Sequence, residues 1–392
     1  MLELIPPHQI GDPSVRPLTT RLPYLSKYLL YTHAHTHTNQ PTNQQKETMS
    51  PPKANILLIG SGGVGTIAAL NLEAGNLARV TAVLRSNYHA VTSNGFNITS
   101  CDHGILKGWK PSTITNRIPD PTPDSPKYDY IICTTKVITD CPPSTANLIK
   151  PAVTPGHTVI VLIQNGLNIE TPYFAAFPDN IVLSGISMID SHEVAPGVIE
   201  HGSADDLVIG AFRNPNLDIA VEAAAAERFV GLYSAAGKTK CVLGLDVGYS
   251  RWRKLIFNAC LNSICALTGL DTGRIRLAGD AVEMLVRPAM EEIRAAAGSV
   301  GVDLPGSVCE EVIGAYPVAL YLPPSMLEDV WKGNLIEVES IVGEPLRVGR
   351  ANGVAMPTLS VLKNLLKGVQ WRTKEKRGLI EIPAPGSDVA DL

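Results

Sequence analysis

Six residues, Gly60-Ser61-Gly62-Gly63-Val64-Gly65, constrain this chain more than any others. They directly follow the apolar run Ala54-Asn55-Ile56-Leu57-Leu58-Ile59 and open a helix-like stretch over 66–74 that ends at Gly75. GxGxxG between a strand and a helix is a dinucleotide-binding fingerprint, whereas the bare pattern is weak. Gly60 permits the tight turn, Gly62 lets backbone N–H groups approach a pyrophosphate, and Gly65 lets the helix lie close to the strand. The helix N-terminus adds partial positive charge for the phosphates. All six residues are therefore expected to bind the cofactor.

The surrounding pattern fits a parallel sheet. Short apolar runs at 80–84, 128–133 and 158–163 are bounded by Pro, Asp and Gly and alternate with helical stretches, which indicates βαβ units. Further strands are expected at 181–187, 197–201 and 207–210, with Pro196-Gly197 as a turn between two of them. Beyond about residue 245 the pattern becomes helical, at 252–267, 281–297, 325–332, 337–352 and 359–367. The expected fold is an α/β Rossmann-type parallel-sheet domain over 53–244, followed by an all-α domain over 245–370. A small-molecule cleft is expected at their junction. Residues 1–52, rich in Pro, Thr, Gln, Asn and His, are expected to be a disordered extension, with Met49 as an alternative start. Residues 371–392 are expected to be a flexible tail.

Composition removes several classes. With 33 Lys plus Arg against 37 Asp plus Glu, the net charge of −4 argues against a nucleic-acid scaffold or a polybasic membrane binder. No apolar run approaches the ~20 residues of a membrane span, so a soluble, cytoplasmic protein is expected. A mitochondrial presequence is the alternative; Glu3, Asp12, sparse Arg and the prolines speak against it. The seven cysteines form no CxxC pair, so neither a disulfide framework nor a metal site is expected. The tract His33, His35, His37 is read as compositional.

Several residues point to chemistry. Arg85 stands 20 residues after Gly65, where an NAD-selecting carboxylate would be expected. A guanidinium there can pair with a 2′-phosphate, which favours NADP(H); a solvated surface arginine is the alternative. Lys136 and Asn165 follow the strands ending at Cys133 and Ile163, positions that line the ligand crevice. Lys136 suits a phosphate or an anionic substrate, and Asn165 suits the nicotinamide-side ribose; loop capping is the alternative for both. Lys254, Asn258 and Asn262 sit at i, i+4 and i+8 on an otherwise apolar helix, a stripe expected to face a cleft. Arg251 and Arg253, with partial burial, are expected to lower the pKa of Lys254 and ease proton donation. Glu337 and Glu339 lie near a helix start, where the dipole favours a carboxylate. A Lys–Glu pair across the cleft is the sharper reading.

Over about residues 53–370 the chain resembles the ketopantoate reductase (2-dehydropantoate 2-reductase) family. The markers are Gly60–Gly65, Thr135-Lys136, Gln164-Asn165-Gly166, Pro196-Gly197 with His201-Gly202, and Trp252-x-Lys254-Leu255-x-x-Asn258-x-x-x-Asn262. Ser325, Asp329, Glu337, Gly343 and the stretch 353–357 complete them. The resemblance implies NADPH-dependent reduction of a 2-keto acid, most simply 2-dehydropantoate to pantoate. It implies Lys254 as general acid, Glu337 as the carboxylate pairing with that lysine and the substrate hydroxyl, and Asn258 and Asn262 as substrate-positioning amides. Ser325 would contact the substrate carboxylate, and Lys136 and Asn165 the nicotinamide side.

Some positions depart from the family pattern. Prolines 142 and 143 delay any helix after Lys136, Ile336 replaces a usual threonine, and Glu344 follows Gly343. These leave the substrate more open than the chemistry. A reductase of another keto acid in a specialised pathway, a non-catalytic NADPH sensor and a 3-hydroxyacid dehydrogenase stay as alternatives. The expected partner is a small keto acid, without nucleic acid or membrane, and a homodimer is left open.

Overall fold

The computed structural model describes residues 52–120, 125 and 127–383. The expected extension up to residue 51, including its histidine tract, and the last nine residues of the expected tail lie outside the described residues.

Among the described residues twelve strands build two sheets. They are β1 Ala54–Ile59, β2 Ala78–Val83, β3 Phe96–Ser100, β4 Gly104–Trp109, β5 Thr113–Thr115, β6 Tyr130–Cys133, β7 Val159–Ile163, β8 Val182–Ser187, β9 Asp190–Ala195, β10 Val198–Ser203, β11 Asp206–Ala211 and β12 Lys240–Leu243. The larger sheet runs β12-β11-β8-β7-β6-β1-β2-β5, parallel except where β11 meets β8. Its apolar strands follow from burial on both faces. On β1, Ile56 and Leu58 enter one core while Leu57 and Ile59 enter the other. The chain goes from β1 outward to β2 on one side and returns to β6 on the other. That reversal opens a crevice beyond the carboxyl ends of β1 and β6, where Gly60 and Thr134 stand.

The Gly63–Ala74 helix begins inside the glycine run. An added Cβ at Gly65 would lie 1.8 Å from the Gly60 carbonyl oxygen, so only glycine lets helix and strand approach this closely.

A second, four-stranded sheet, β4-β3-β10-β9, packs beside the first. The turn at Pro196-Gly197 joins β10 to β9, a strand outside the expected ones. The β3–β4 hairpin, β5 and β12 have no clear signal in the sequence. β4 is largely exposed along its length, so it lacks the alternation that marks a half-buried strand.

The C-terminal half is helical and shares one compact unit with the sheet half. Its own core gathers Trp252, Ile256, Ile264, Met290, Leu327, Ile341 and Leu359, among others. The expected helix at 252–267 starts earlier, as Val247–Leu255, and continues without a break through a π-helical segment, Ile256–Leu261, into Asn262–Thr268. Asp246 caps its start by accepting from the Tyr249 N–H at 2.8 Å. Further π segments occur at Val282–Val286 and Glu339–Gly343.

The expected flexible tail from 371 is corrected. The last helix runs Pro357–Lys376, because its end is tied down. Lys374 binds Asp140 at 2.6 Å, and Arg377 donates to the Gly333 carbonyl at 2.8 Å.

Gly65→Ala is expected to destabilise the fold by about 3 kcal/mol or more, as overpacking against rigid backbone does. Urea unfolding checks this, and an unchanged midpoint would show that the contact can relax.

Candidate active site

The glycine loop is shaped to receive a ligand. No side chain caps the Gly63–Ala74 helix N-terminus. A Cβ on Gly62 would meet nothing within 4 Å, and the Ser61 hydroxyl is buried without a hydrogen-bond partner. An open N-terminus with an unused buried hydroxyl fits the pyrophosphate of a dinucleotide. Asn87, absent from the expectations, fixes the loop. It donates to the Ser61 carbonyl at 2.9 Å and to Glu193 at 2.8 Å. Thr134 bonds the Ile59 and Gly60 carbonyls from β6. Arg85 is exposed just past β2, with no carboxylate in ion-pair range among the described residues.

Gln164, Asn165 and Gly166 form the next segment of the sheet-side wall. Gln164 donates to the Thr135 carbonyl at 2.5 Å. Gly166 has φ +113°, and a Cβ there would press on Ser340 of the helical half at 2.6 Å. The Leu167 N–H donates to the Ser340 carbonyl at 2.9 Å. This loop is thus stitched directly to the facing half.

Arg251 completes the seam. It is 5% exposed, and its Nη1 donates to the carbonyls of Gln164 and Gly166, both at 3.0 Å. Its Nε meets Glu170 Oε1 and Ser184 Oγ, both at 2.7 Å. Glu170 is wholly buried, and Ser184 donates to it at 2.6 Å. The sequence marks Arg251 only as a neighbour of Lys254; the structure makes it the anchor of the Asn165 loop.

Lys254 lies one helical turn later. Gln164, Asn165, Gly166, Ile186, Arg251, Lys254, Leu255 and Asn258 line one small crevice. Three predicted site residues, Asn165, Lys254 and Asn258, therefore converge. The Lys254 ammonium donates to the Ser187 carbonyl at the end of β8. Burial, then Arg251, pushes its pKa down to about 8, against the opposing pull of Glu337. The expectation for Arg253 is corrected: its side chain points outward to Glu311 at 3.1 Å and contributes nothing to the shift.

Glu337, of the helical half, is 4% exposed and hydrogen-bonds the Asn165 side chain of the crevice wall. It accepts from the Val137 N–H at 2.9 Å and lies 3.6 Å from Lys136. Burial raises its pKa, with Lys136 opposing. The expected Lys254–Glu337 pair is not closed here, because Glu337 is committed to Lys136. Lys136 also binds Asp329 at 2.7 Å, so its charge is held by two carboxylates of the helical half. Desolvation works against the Lys136 ammonium, but Glu337 and Asp329 overcome it and raise its pKa.

Asn262 is fully buried, and its side chain is spent on the Ser325–Trp331 helix. It accepts from the Met326 N–H at 3.0 Å and donates to Ser325 Oγ at 3.4 Å. It sets the place of Ser325 and does not line the crevice of Lys254. At the edge of the seam His192 on β9 meets Glu328 of that helix at 2.8 Å, a contact between halves that has no sequence signature.

A glycine-loop sheet faced by a helical half that carries a half-buried lysine defines a two-part protein with a crevice along its seam. The chain belongs to the ketopantoate reductase PanE/ApbA family. The family's model matches residues 56–214, and its C-terminal model matches residues 246–370. The chain is 38% identical over 362 residues to uncharacterized protein YDL144C of Saccharomyces cerevisiae, covering 86% of this chain and 99% of that protein. The crystal structure of 2-dehydropantoate 2-reductase from Methylococcus capsulatus matches with a TM-score of 0.68 at 31% identity, over 81% of this chain and 97% of that one. D-mandelate dehydrogenase, solved with NADH and anilino(oxo)acetate, shares the fold with a TM-score of 0.69 at 18% identity, over 82% and 99% of the two chains.

Removing the guanidinium in Arg251→Ala leaves the buried Glu170 without its partner cation, and is expected to cost about 3–5 kcal/mol. The double variant Arg251→Met with Glu170→Met should recover much of that loss. Denaturant unfolding of both checks it; a single variant within about 1 kcal/mol of the parent would contradict the anchoring role.

Proposed function

We propose that this chain is a reductase that uses a reduced nicotinamide dinucleotide, NADPH by preference, to convert a small 2-keto acid to its 2-hydroxy acid. 2-Dehydropantoate is the first substrate to test. The observation that carries this reading is the convergence of Lys254, Asn258 and Asn165 on one crevice, where burial and Arg251 lower the pKa of the lysine. A sensor that only binds the dinucleotide has no use for such a proton donor. The family membership and the Methylococcus capsulatus 2-dehydropantoate 2-reductase likeness support the same substrate class. D-mandelate dehydrogenase with NADH favours one second reading: the same fold serving a different 2-hydroxy acid and the other nicotinamide cofactor.

The dinucleotide, when bound, supplies the hydride for the carbonyl carbon. Lys254 donates its proton to the carbonyl oxygen as negative charge develops there, and its positive charge polarises the ketone beforehand. The ammonium exchanges the Ser187 carbonyl for the substrate oxygen. Asn258, on the same helical face, orients the substrate, and Ser325 takes its carboxylate. Asn165 contacts the nicotinamide-side ribose. Lys136, clamped by Asp329 and Glu337, keeps the sheet edge and the helical half in register. Hydride and proton together make the alcohol, so the reaction balances without another reductant.

The test is a keto-acid panel with NADPH and NADH. Oxidation of NADPH by 2-dehydropantoate supports the reading in full. Turnover of another keto acid moves the substrate and keeps the chemistry. Tight cofactor binding with no turnover of any keto acid would sink it.

Lys254→Ala is expected to lower kcat by about 10²–10⁴ while cofactor binding stays near normal. The sign of the pH dependence follows from a pKa of about 8: the ammonium is intact below that value, so reduction is flat there and falls about tenfold per pH unit above it. A reduction rate that rises from pH 7 to 9 would remove Lys254 as the acid. Arg85→Ala is expected to raise the KM for NADPH about tenfold or more and leave NADH nearly untouched, since only NADPH carries the 2′-phosphate. An unaltered cofactor ratio would place Arg85 outside the site.

A further inference from the structure

We propose that Cys101, Asp102 and His201 form a three-ligand site for a divalent cation of the zinc class, outside the crevice. They are the one such donor cluster among the described residues. Cys101 and Asp102 lie in the tight turn between β3 and β4, and His201 lies on β10. β3 and β10 are parallel neighbours with Ser100 paired to His201, and the Cys101 N–H donates to the His201 carbonyl at 3.0 Å. Backbone pairing thus brings a thiol and a carboxylate over an imidazole that is a hundred residues distant in sequence. The expectation of no metal site rested on the absence of paired cysteines, and this arrangement needs only one.

The geometry suits the ion. Cys101 Sγ lies 3.8 Å from His201 Nε2 and 3.7 Å from Asp102 Oδ1. His201 Nε2 is 3.8 Å from Asp102 Oδ2. Tetrahedral zinc with ordinary sulfur, nitrogen and oxygen bond lengths sets ligand atoms about 3.4–3.6 Å apart. A shift of a few tenths of an ångström closes the site. A sulfur, nitrogen and oxygen set on a tetrahedral pattern favours zinc over calcium or magnesium, which take oxygen alone.

The surroundings also suit it. Ser100 Oγ lies 2.8 Å from His201 Nδ1 and fixes the ring's orientation, with Nε2 turned toward Cys101 and Asp102. Such outer partners orient metal-binding histidines. The same oxygen takes the Asp102 and His103 N–H groups at 3.2 and 3.0 Å, which fixes the turn. Asp102 Oδ2 accepts from the Asp205 N–H at 3.1 Å. The His201 side chain is fully buried while Cys101 is exposed, so the fourth position opens to solvent. A cation binding there displaces the thiol proton to solvent.

Cobalt titration of the untagged full chain tests this. His33, His35 and His37 are changed to Gln so that the tract cannot compete. One Co²⁺ per chain is expected, with tetrahedral visible bands and a near-ultraviolet thiolate-to-cobalt band that one equivalent of Zn²⁺ abolishes. Cys101→Ser, in an exposed turn, is expected to lose the thiolate band and to weaken Zn²⁺ binding at least about tenfold. His201→Gln should weaken it similarly, and the Cys101 result stands by itself if that variant fails to fold. Absence of the thiolate band in the parent, or its survival in Cys101→Ser, overturns the proposal.

Discussion

The architecture of the crevice depends on one buried guanidinium. The segment leaving β7 turns away from the sheet, so its carbonyls lose their ladder partners. Buried carbonyls must be satisfied somewhere. Arg251 satisfies two of them from the opposite half of the molecule, at Gln164 and Gly166. Those carbonyls flank Asn165, whose side chain hydrogen-bonds Glu337 of the facing half. The charge is compensated by Glu170, which Ser184 also supports. Such a pair adds little net stability, because desolvation offsets attraction. Its effect is geometric. Arg251 and Lys254 are i and i+3 on one helix and therefore neighbours on its surface. Fixing the first against the loop fixes the second against the sheet.

The π segments refine that placement. In the Ile256–Leu261 segment the Asn262 N–H reaches back five residues to the Phe257 carbonyl. The stripe Lys254, Asn258, Asn262 is therefore not the evenly drifting row of an ideal α-helix. Its members divide their work. Lys254 and Asn258 line the crevice, whereas Asn262 holds the start of the helix that begins at Ser325. The Glu339–Gly343 segment lies on the same, helical side of the seam, where the Ser340 carbonyl receives the Leu167 N–H from the sheet half. π-bulges often mark functional sites, and two of the three here border this one.

What the sequence shows of the site is what local pattern can encode. The strand, glycine turn and helix are contiguous, and so is the lysine helix. The partners of Lys136 are not. Asp329 and Glu337 come from a half of the chain two hundred residues away, and neither periodicity nor spacing links them to it. Arg251 left a readable trace: a charged residue three positions before Lys254, on the same stripe, beside a buried Trp252. A charge on a buried face demands a partner, so it could have been read as an anchor. Of the second sheet only β10 matches an expected strand; β4 escapes because it is largely exposed, and register shifts interrupt the β3–β4 pairing. The last helix outruns its expected end for a tertiary reason, the clamp of Lys374 on Asp140.

Two lysines of the same seam show how environment divides roles. Lys136 sits between Asp329 and Glu337, and their attraction outweighs the cost of desolvation, so its pKa rises. Lys254 has only a carbonyl as its direct partner, while burial and the Arg251 charge act together, so its pKa falls to about 8. Groups whose surroundings push their pKa values apart are suited to different tasks. An ammonium that never titrates near neutral pH holds structure and charge. One that titrates close to neutrality can give up a proton and regain it within a turnover. The anchoring arginine thus adds to burial in lowering the donor's pKa, so the residue that builds the crevice also helps to set its acidity.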